Sequence, residues 1–300
     1  MSVLKEPWLS SPAPNFPGRR EVFLEDLSKL IPLIDWHFFD LAWQIKSHSE
    51  ESVKWQKEAK SELNYLLSLK ILRAGGVIAF FPVRRFGDSL NVYETVESIS
   101  EKPLAKLHFL RMQEELDGNA FCSVADFFNP KSVDWIGMFA LSASLDLEKA
   151  IEKADGDMYL ILLLKTRFLL INIHILLWKT LAGRLTEAYS EYMHREVQKK
   201  WWGYALGEAF GVRPVPGYPT TPDHSEIETL WHLLMPESVG ITMTSSKMMV
   251  PEASVCGYYI AHPLSHYFNI RRIGEDQLKD YASRKGWSEK KAREELGRLL

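Results

Sequence analysis

Cysteine is nearly missing: Cys122 and Cys256 are the two in 300 residues, far apart along the chain. They form neither a close-spaced metal-ligand pair nor a disulfide framework, so a reducing, cytoplasmic compartment is the plain expectation. An excess of one charge is missing too. The 36 basic residues face 39 acidic ones, and a net charge of −3 gives no footing for an electrostatic search for nucleic acid. No Gly-rich strand-to-helix turn of the dinucleotide or P-loop kind is present. The first 20 residues, MSVLKEPWLSSPAPNFPGRR, lack an apolar core of signal-peptide length. They read as a poorly ordered arm over 1–20.

One long apolar run is there. Residues 158–178 read MYLILLLKTRFLLINIHILLW, which is enough to cross a bilayer. Lys165 and Arg167 sit at its middle, with Asn172 and His174 beyond them. Central cations are costly in hydrocarbon. A buried or partner-covered helix is therefore expected, and no membrane span.

The chain is 46% hydrophobic and 25% charged, which supplies a sizeable globular core. Residues 21–43 follow helical spacing with a break at Pro32, and residues 50–72 make a clearer helix ended by Gly75-Gly76. GGVIAFFPVRR and SLNVYETV, separated by Phe86-Gly87-Asp88, predict a hairpin. Residues 134–143, 242–249 and 253–261 are further strand candidates. Residues 147–200 are helical in pattern and carry no proline. Residues 224–235 predict a helix opened by Thr221-Pro222-Asp223, and 276–285 and 288–300 close the chain as two more. Hairpin strands mixed with long helices indicate α+β rather than a parallel sheet. One domain is expected over 21–300.

Chemistry concentrates in RPVPGYPTTPDH, residues 213–224. Its prolines fix φ and remove backbone donors, so the loop loses little entropy when something binds. Gly217 permits close approach, Arg213 offers a planar fork for a carboxylate or phosphate, and Tyr218 offers an aromatic face. Read from the residues alone, a rigid surface connection whose Arg pairs with a neighbouring acid is favoured over a ligand site. Asp35, in LIDWHFFDLAW, stands in an aromatic run and needs a partner. That partner is either an internal donor, as for a helix N-cap, or the ammonium of a ligand. His262 and His266 are four apart, but Pro263 between them argues against a helical metal pair. No metal site is expected. Glu187 lies in the long helical region and is by default a solvated charge.

RPVPGYPTTPDHSEIETLWHLL, then PEASVCGYYIAHPLSHYF and DQLKDYASRKGWS, resemble the C-terminal activation domain of cobalamin-dependent methionine synthase. IDWHFF, GVIAFFPVRRFGDSLNVY, SVADFFNP, DWIGMFAL, LAGRLTEAYSEYMHREV and WWGYA resemble that family's segments in the same order. The resemblance runs from about residue 21 to residue 297. It implies a single C-shaped α+β domain with a mainly antiparallel sheet and long helices.

It also implies an S-adenosylmethionine site. Arg213 would grip the ligand's carboxylate and Asp35 would meet its ammonium. Backbone from Val215 to Gly217 would line the adenosine, with Tyr218 beside it. Tyr267 and Phe268 match the family's aromatic pair at the ligand, and Glu187 an acid near the site. His224 matches a motif position whose role is left open. The sequence departs from the family at Thr220-Thr221, where Ala-Cys is usual, and at Val250-Pro251-Glu252, which replaces Trp-Pro-Gly and puts one aromatic wall in question. RFLLINIHILLWKT, 167–180, reads as a helical insertion of about 3.9 turns, with a bent hairpin as the alternative.

The cobalamin motif DxHxxG is absent. The resemblance therefore implies a free-standing activation subunit, a methyltransferase component that makes no methionine alone. It would support reductive methylation of a cobalamin held by a separate methionine synthase subunit, with a flavodoxin-like or ferredoxin-like electron donor. A non-catalytic S-adenosylmethionine-binding adaptor for another corrinoid protein is the alternative.

Overall fold

The computed structural model describes residues 10–116, 119–146, 173–204 and 210–300. Two long strands form its centre, β2 (Leu72–Phe86) and β7 (Asp134–Leu145), paired antiparallel from Leu72↔Leu145 to Val83↔Asp134. The other edge of β2 is shared by β1 (Gly18–Leu24) and β3 (Ser89–Val92). Pro82, which has no N–H to give, falls between the last residue paired to β1, Phe80, and the first paired to β3, Val83. β4 (Ala105–His108) extends the sheet beyond β3, and β10 (Ser254–Tyr259) pairs with β7. Every pairing in this sheet is antiparallel. The expected α+β class and mainly antiparallel sheet are what the chain forms.

β2 is apolar almost without alternation because both of its faces are covered. Val77, Ala79, Phe81 and Val83 point into one core, and Ala74, Ile78 and Phe80 into the other. The first core is closed by α4 (Ile227–Leu234), α5 (Glu275–Lys285) and α6 (Glu289–Leu296). The second is closed by α2 (Glu50–Ser68) and α3 (Ile173–Glu196), with α1 (Trp36–Ala42) beside them. Gly76 sits where β2 and β7 approach most tightly: a Cβ there would lie 2.2 Å from the Ala140 carbonyl oxygen. Helix ends are capped by side chains: Ser49 accepts from Ser52 N and Ser288 from Lys291 N.

Several expectations need correction. Residues 21–24 are strand, because Val22 is buried and the segment pairs with Ala74–Val77 across β2. The helical part of that region is a short 3-10 helix, Leu27–Leu33, followed by α1. Residues 242–249 form no continuous strand, only the two-residue β8 (Thr242–Met243) and β9 (Met249–Val250) with a turn between.

Of the expected N-terminal arm, 1–9 lie outside the described residues and 10–20 are held against the rest of the chain. Ser11 N donates to the buried Asp134 carboxylate at 2.9 Å, and the buried Trp202 indole donates to the Pro12 carbonyl at 2.8 Å. Both groups need partners in the interior, and residues 11–12 supply them. Of the expected insertion, 167–172 lie outside the described residues. Residues 173–180 are helical within α3, where Leu177 is buried and Leu176 is half exposed. Among the described residues no helix is long and apolar enough to cross a membrane.

Candidate functional site

The 210–226 segment runs along the free edge of β10. Val212 and Ile260 exchange backbone hydrogen bonds at 3.2 and 2.9 Å, and Tyr258 N donates to the Pro214 carbonyl at 2.9 Å. The loop lies so close that a Cβ on Gly257 would sit 2.6 Å from that carbonyl oxygen. The loop then folds on itself. Gly217 N donates to Thr221 O at 2.8 Å, Tyr218 N to Val215 O at 3.2 Å and Thr221 N to Tyr218 O at 2.9 Å.

Thr220 and Thr221 tie the loop, one to the neighbouring segment and the other across the loop itself. Thr221 Oγ1 donates to Val215 O at 2.7 Å, and Thr220 Oγ1 to Phe268 O at 2.7 Å. From outside, Arg298 reaches the carbonyls of Gly217, at 3.2 Å, and Pro222, at 2.5 Å.

Between this loop, α3 and residues 267–269 lies a cleft of about 480 Å³, lined by Glu187, Ser190, Arg213, Pro214, Val215, Tyr218, Pro219, Thr220, Val255, Tyr267, Phe268 and Asn269. That is ample for a small organic ligand. Six sequence-predicted residues therefore meet in one place: Glu187, Arg213, Val215, Tyr218, Tyr267 and Phe268. Tyr218 and Tyr267 are more than half exposed, and Phe268 is buried. The Tyr267 hydroxyl accepts from Arg213 N at 3.0 Å.

Two predicted residues do not line the cleft. Gly217, at φ +90°, takes a left-handed conformation and backs onto His224, whose Cδ2 would lie 3.0 Å from an added Cβ. Asp35 is exposed and caps α1, its Oδ1 accepting from His37 N at 2.9 Å and Phe38 N at 3.3 Å. The N-cap alternative is thus what its side chain does here. Among the described residues no three His, Cys, Asp or Glu side chains gather as a group that could hold a metal ion.

Sequence reasoning missed the residues behind Arg213. Its Nη1 donates to Glu191 Oε2 at 2.6 Å and meets His194 Nδ1 at 3.0 Å. Glu191 and His194 follow Glu187 on α3 at helical spacings of four and seven, so all three share a stripe. That periodicity was the available signal. Burial would raise the Glu191 carboxyl, but Arg195 and Arg213 outweigh it and hold it below the usual range. Burial, reinforced by the charge of Arg213, brings His194 down to about 4. His194 is therefore neutral, and its Nε2 stands 3.4 Å from the Tyr204 hydroxyl.

A second polar cluster lies under the loop. The Asp223 carboxylate caps the turn into α4 through Ser225 N at 2.8 Å and pairs with Lys285 at 3.2 Å. Lys285 also meets Glu226 at 2.6 Å. One ammonium thus serves two buried carboxyls. Burial raises both, but for Asp223 the Lys285 charge and hydroxyl donors win and its pKa falls. For Glu226 burial wins, and its pKa is pushed up to about 7.

Comparison with known proteins agrees with this architecture. The chain superposes on a crystal structure of the MetH reactivation domain bound to AdoHcy with a TM-score of 0.83 and 33% sequence identity, covering 99% of this chain and 95% of that one. Residues 26–286 match the family described as the activation domain of vitamin B12 dependent methionine synthase. That span takes in the sheet apart from β1, together with the long helix and the proline-rich loop, and the chain belongs to this activation-domain family.

Proposed function

We propose that this chain binds S-adenosylmethionine in the cleft and presents its methyl group to a cobalamin held by a methionine synthase partner. The observation that carries this reading is the convergence of one guanidinium, one acid and three aromatic side chains on a single cleft: Arg213, Glu187, Tyr218, Tyr267 and Phe268. Those groups suit a ligand with a carboxylate, an ammonium, a sulfonium and an adenine. Arg213 pairs with the carboxylate. The aromatic faces attract the sulfonium cation and stack on the base. Backbone at Val215 borders the adenosine and Glu187 offers negative charge for the ammonium, with Asp35, which caps α1 outside the cleft lining, meeting the ammonium only where the ligand extends past the cleft wall. The similar reactivation domain was solved with AdoHcy, which is what S-adenosylmethionine becomes on losing its methyl.

The protein's part is positioning and exclusion of water. With one electron from a flavodoxin-like or ferredoxin-like donor, cob(II)alamin and S-adenosylmethionine give methylcobalamin and S-adenosylhomocysteine. No side chain is required as a general base. The setting we propose is the cytoplasm.

Two measurements test this. Calorimetry should show S-adenosylmethionine binding, weakened by about 1.5–3 kcal/mol in Arg213→Ala, as for loss of a charged hydrogen bond. The visible spectrum of a cobalamin-loaded partner should change from cob(II)alamin to methylcobalamin when reductant, ligand and this chain are all present. Absence of binding overturns the site. Binding with a spectrum that stays cob(II) leaves only an adaptor.

A further inference from the structure

Arg213 has five N–H donors, and the protein has used them unevenly. Both hydrogens of Nη1 have acceptors, Glu191 Oε2 at 2.6 Å and His194 Nδ1 at 3.0 Å. Among the described residues, Nε and Nη2 have no hydrogen-bond partner. A guanidinium can take a carboxylate end-on, through Nη1 and Nη2, or side-on, through Nε and Nη2. The end-on edge is spent. We infer that Glu191 and His194 are positioning residues that turn Arg213 side-on to the cleft, reserving its Nε–Nη2 edge for the carboxylate of the ligand. This rests on the S-adenosylmethionine reading.

The arrangement is built from below. A guanidinium cannot accept, so the contact with His194 requires the lone pair of Nδ1. The ring proton then lies on Nε2, toward the Tyr204 hydroxyl. His194 is 7% exposed and stacks on the buried Tyr259 ring at 5.7 Å and 21°. Its ring can neither turn nor leave without opening the core. Glu191 is fixed on its other side, Oε1 accepting from Arg195 Nε at 2.8 Å. With His194 neutral, two guanidinium groups, Arg195 and Arg213, share the Glu191 carboxylate. The Nε–Nη2 edge of Arg213 therefore still attracts an anionic ligand group, while Glu187 on the same stripe supplies the negative charge proposed for the ammonium.

A pair that merely ties α3 to the loop would predict something different from a pair that aims Arg213, and a cycle of variants separates the two. The probes are S-adenosylmethionine and 5′-methylthioadenosine, which lacks the amino-acid end. His194→Phe keeps the stacked ring and removes the acceptor. We expect it to weaken S-adenosylmethionine about tenfold, as for a hydrogen bond lost, and to leave 5′-methylthioadenosine unchanged. His194→Asn restores an acceptor at the Nδ1 position and should return affinity to within about threefold of the wild type. In an Arg213→Ala background, His194→Phe should cost nothing further.

The inference is overturned if His194→Phe binds S-adenosylmethionine as the wild type does. It is also overturned if both ligands weaken alike, or if the two substitutions add. Should His194→Phe fail to fold, Glu191→Leu against Glu191→Gln makes the same comparison. A wild type that binds neither ligand overturns the functional reading and takes this one with it.

Discussion

The hydroxyl of Tyr281, on α5, donates to Oδ2 of Asp223 at 2.6 Å, joining a C-terminal helix to the end of the proline-rich loop. Both residues are buried. Tyr281→Phe keeps the ring and removes a donor from a buried carboxylate. Urea denaturation should show a loss of about 1–3 kcal/mol. A change below about 0.5 kcal/mol, the range of an ordinary surface substitution, would mean that Asp223 is held well enough by Ser225 and Lys285.

Asp35 separates folding from binding. Asn is as good an N-cap as Asp, so Asp35→Asn should leave the melting temperature of the protein nearly unchanged. It does remove a negative charge. If the carboxylate meets the ligand's ammonium, S-adenosylmethionine affinity should fall by about tenfold or more. Unchanged affinity with lowered stability would make Asp35 a cap and nothing else.

Two glycines give opposite signs. In Gly257→Ala the new methyl would meet the Pro214 carbonyl at 2.6 Å and the Phe139 ring at 3.0 Å, neither free to move. Thermal unfolding should show a cost of about 1–3 kcal/mol, and the shifted loop should bind ligand more weakly. Gly183, within α3, has nothing within 4 Å of an added Cβ. Gly183→Ala should stabilise the chain by about 0.5–1 kcal/mol through helix propensity. Equal effects at the two positions would contradict the packing described for β10 and the loop.

Glu226 makes stability depend on pH in a defined direction. Burial lifts its folded pKa from 4.5 to about 7, so folding favours the protonated form. That contribution is complete below about 4.5 and is lost as pH rises through about 7. Glu226→Gln removes the titration. Relative to the variant, the wild type should lose stability between pH 4.5 and 7 by up to about 3 kcal/mol. Denaturation curves for the two proteins at pH 5 and 8 decide it. A difference that does not vary with pH would show Lys285 holding the carboxylate ionised throughout.

The fold was legible where one face or both were continuously apolar. β2 and β7 stood out because they are buried on both sides, and α2 because its cap and acids were in register with its apolar stripe. Residues 21–24 misled because four residues of strand precede a stretch whose leucines suit a helix; only the partner strand settles them. In the site, the loop announced itself through Arg213, Gly217 and Tyr218, and resemblance gave Glu187, Tyr267 and Phe268. The support behind Arg213 stayed hidden. His194 is one histidine on a long helix, and its meaning depends on a loop nineteen positions downstream. Asp35 could be read two ways, since a carboxylate before an aromatic helix caps it and can face a ligand at the same time.

The proline-rich loop also decides what cannot happen at the end of the sheet. One edge of β10 is paired with β7, and residues 212–214 cover part of the other. An open edge is a template for another chain. Here the backbone N–H of the covering segment that faces away from β10, that of Arg213, is already given to the Tyr267 hydroxyl at 3.0 Å. Tyr267→Phe would therefore do more than alter a wall of the cleft. It would free a backbone donor along a sheet border and make strand addition between copies of the chain easier.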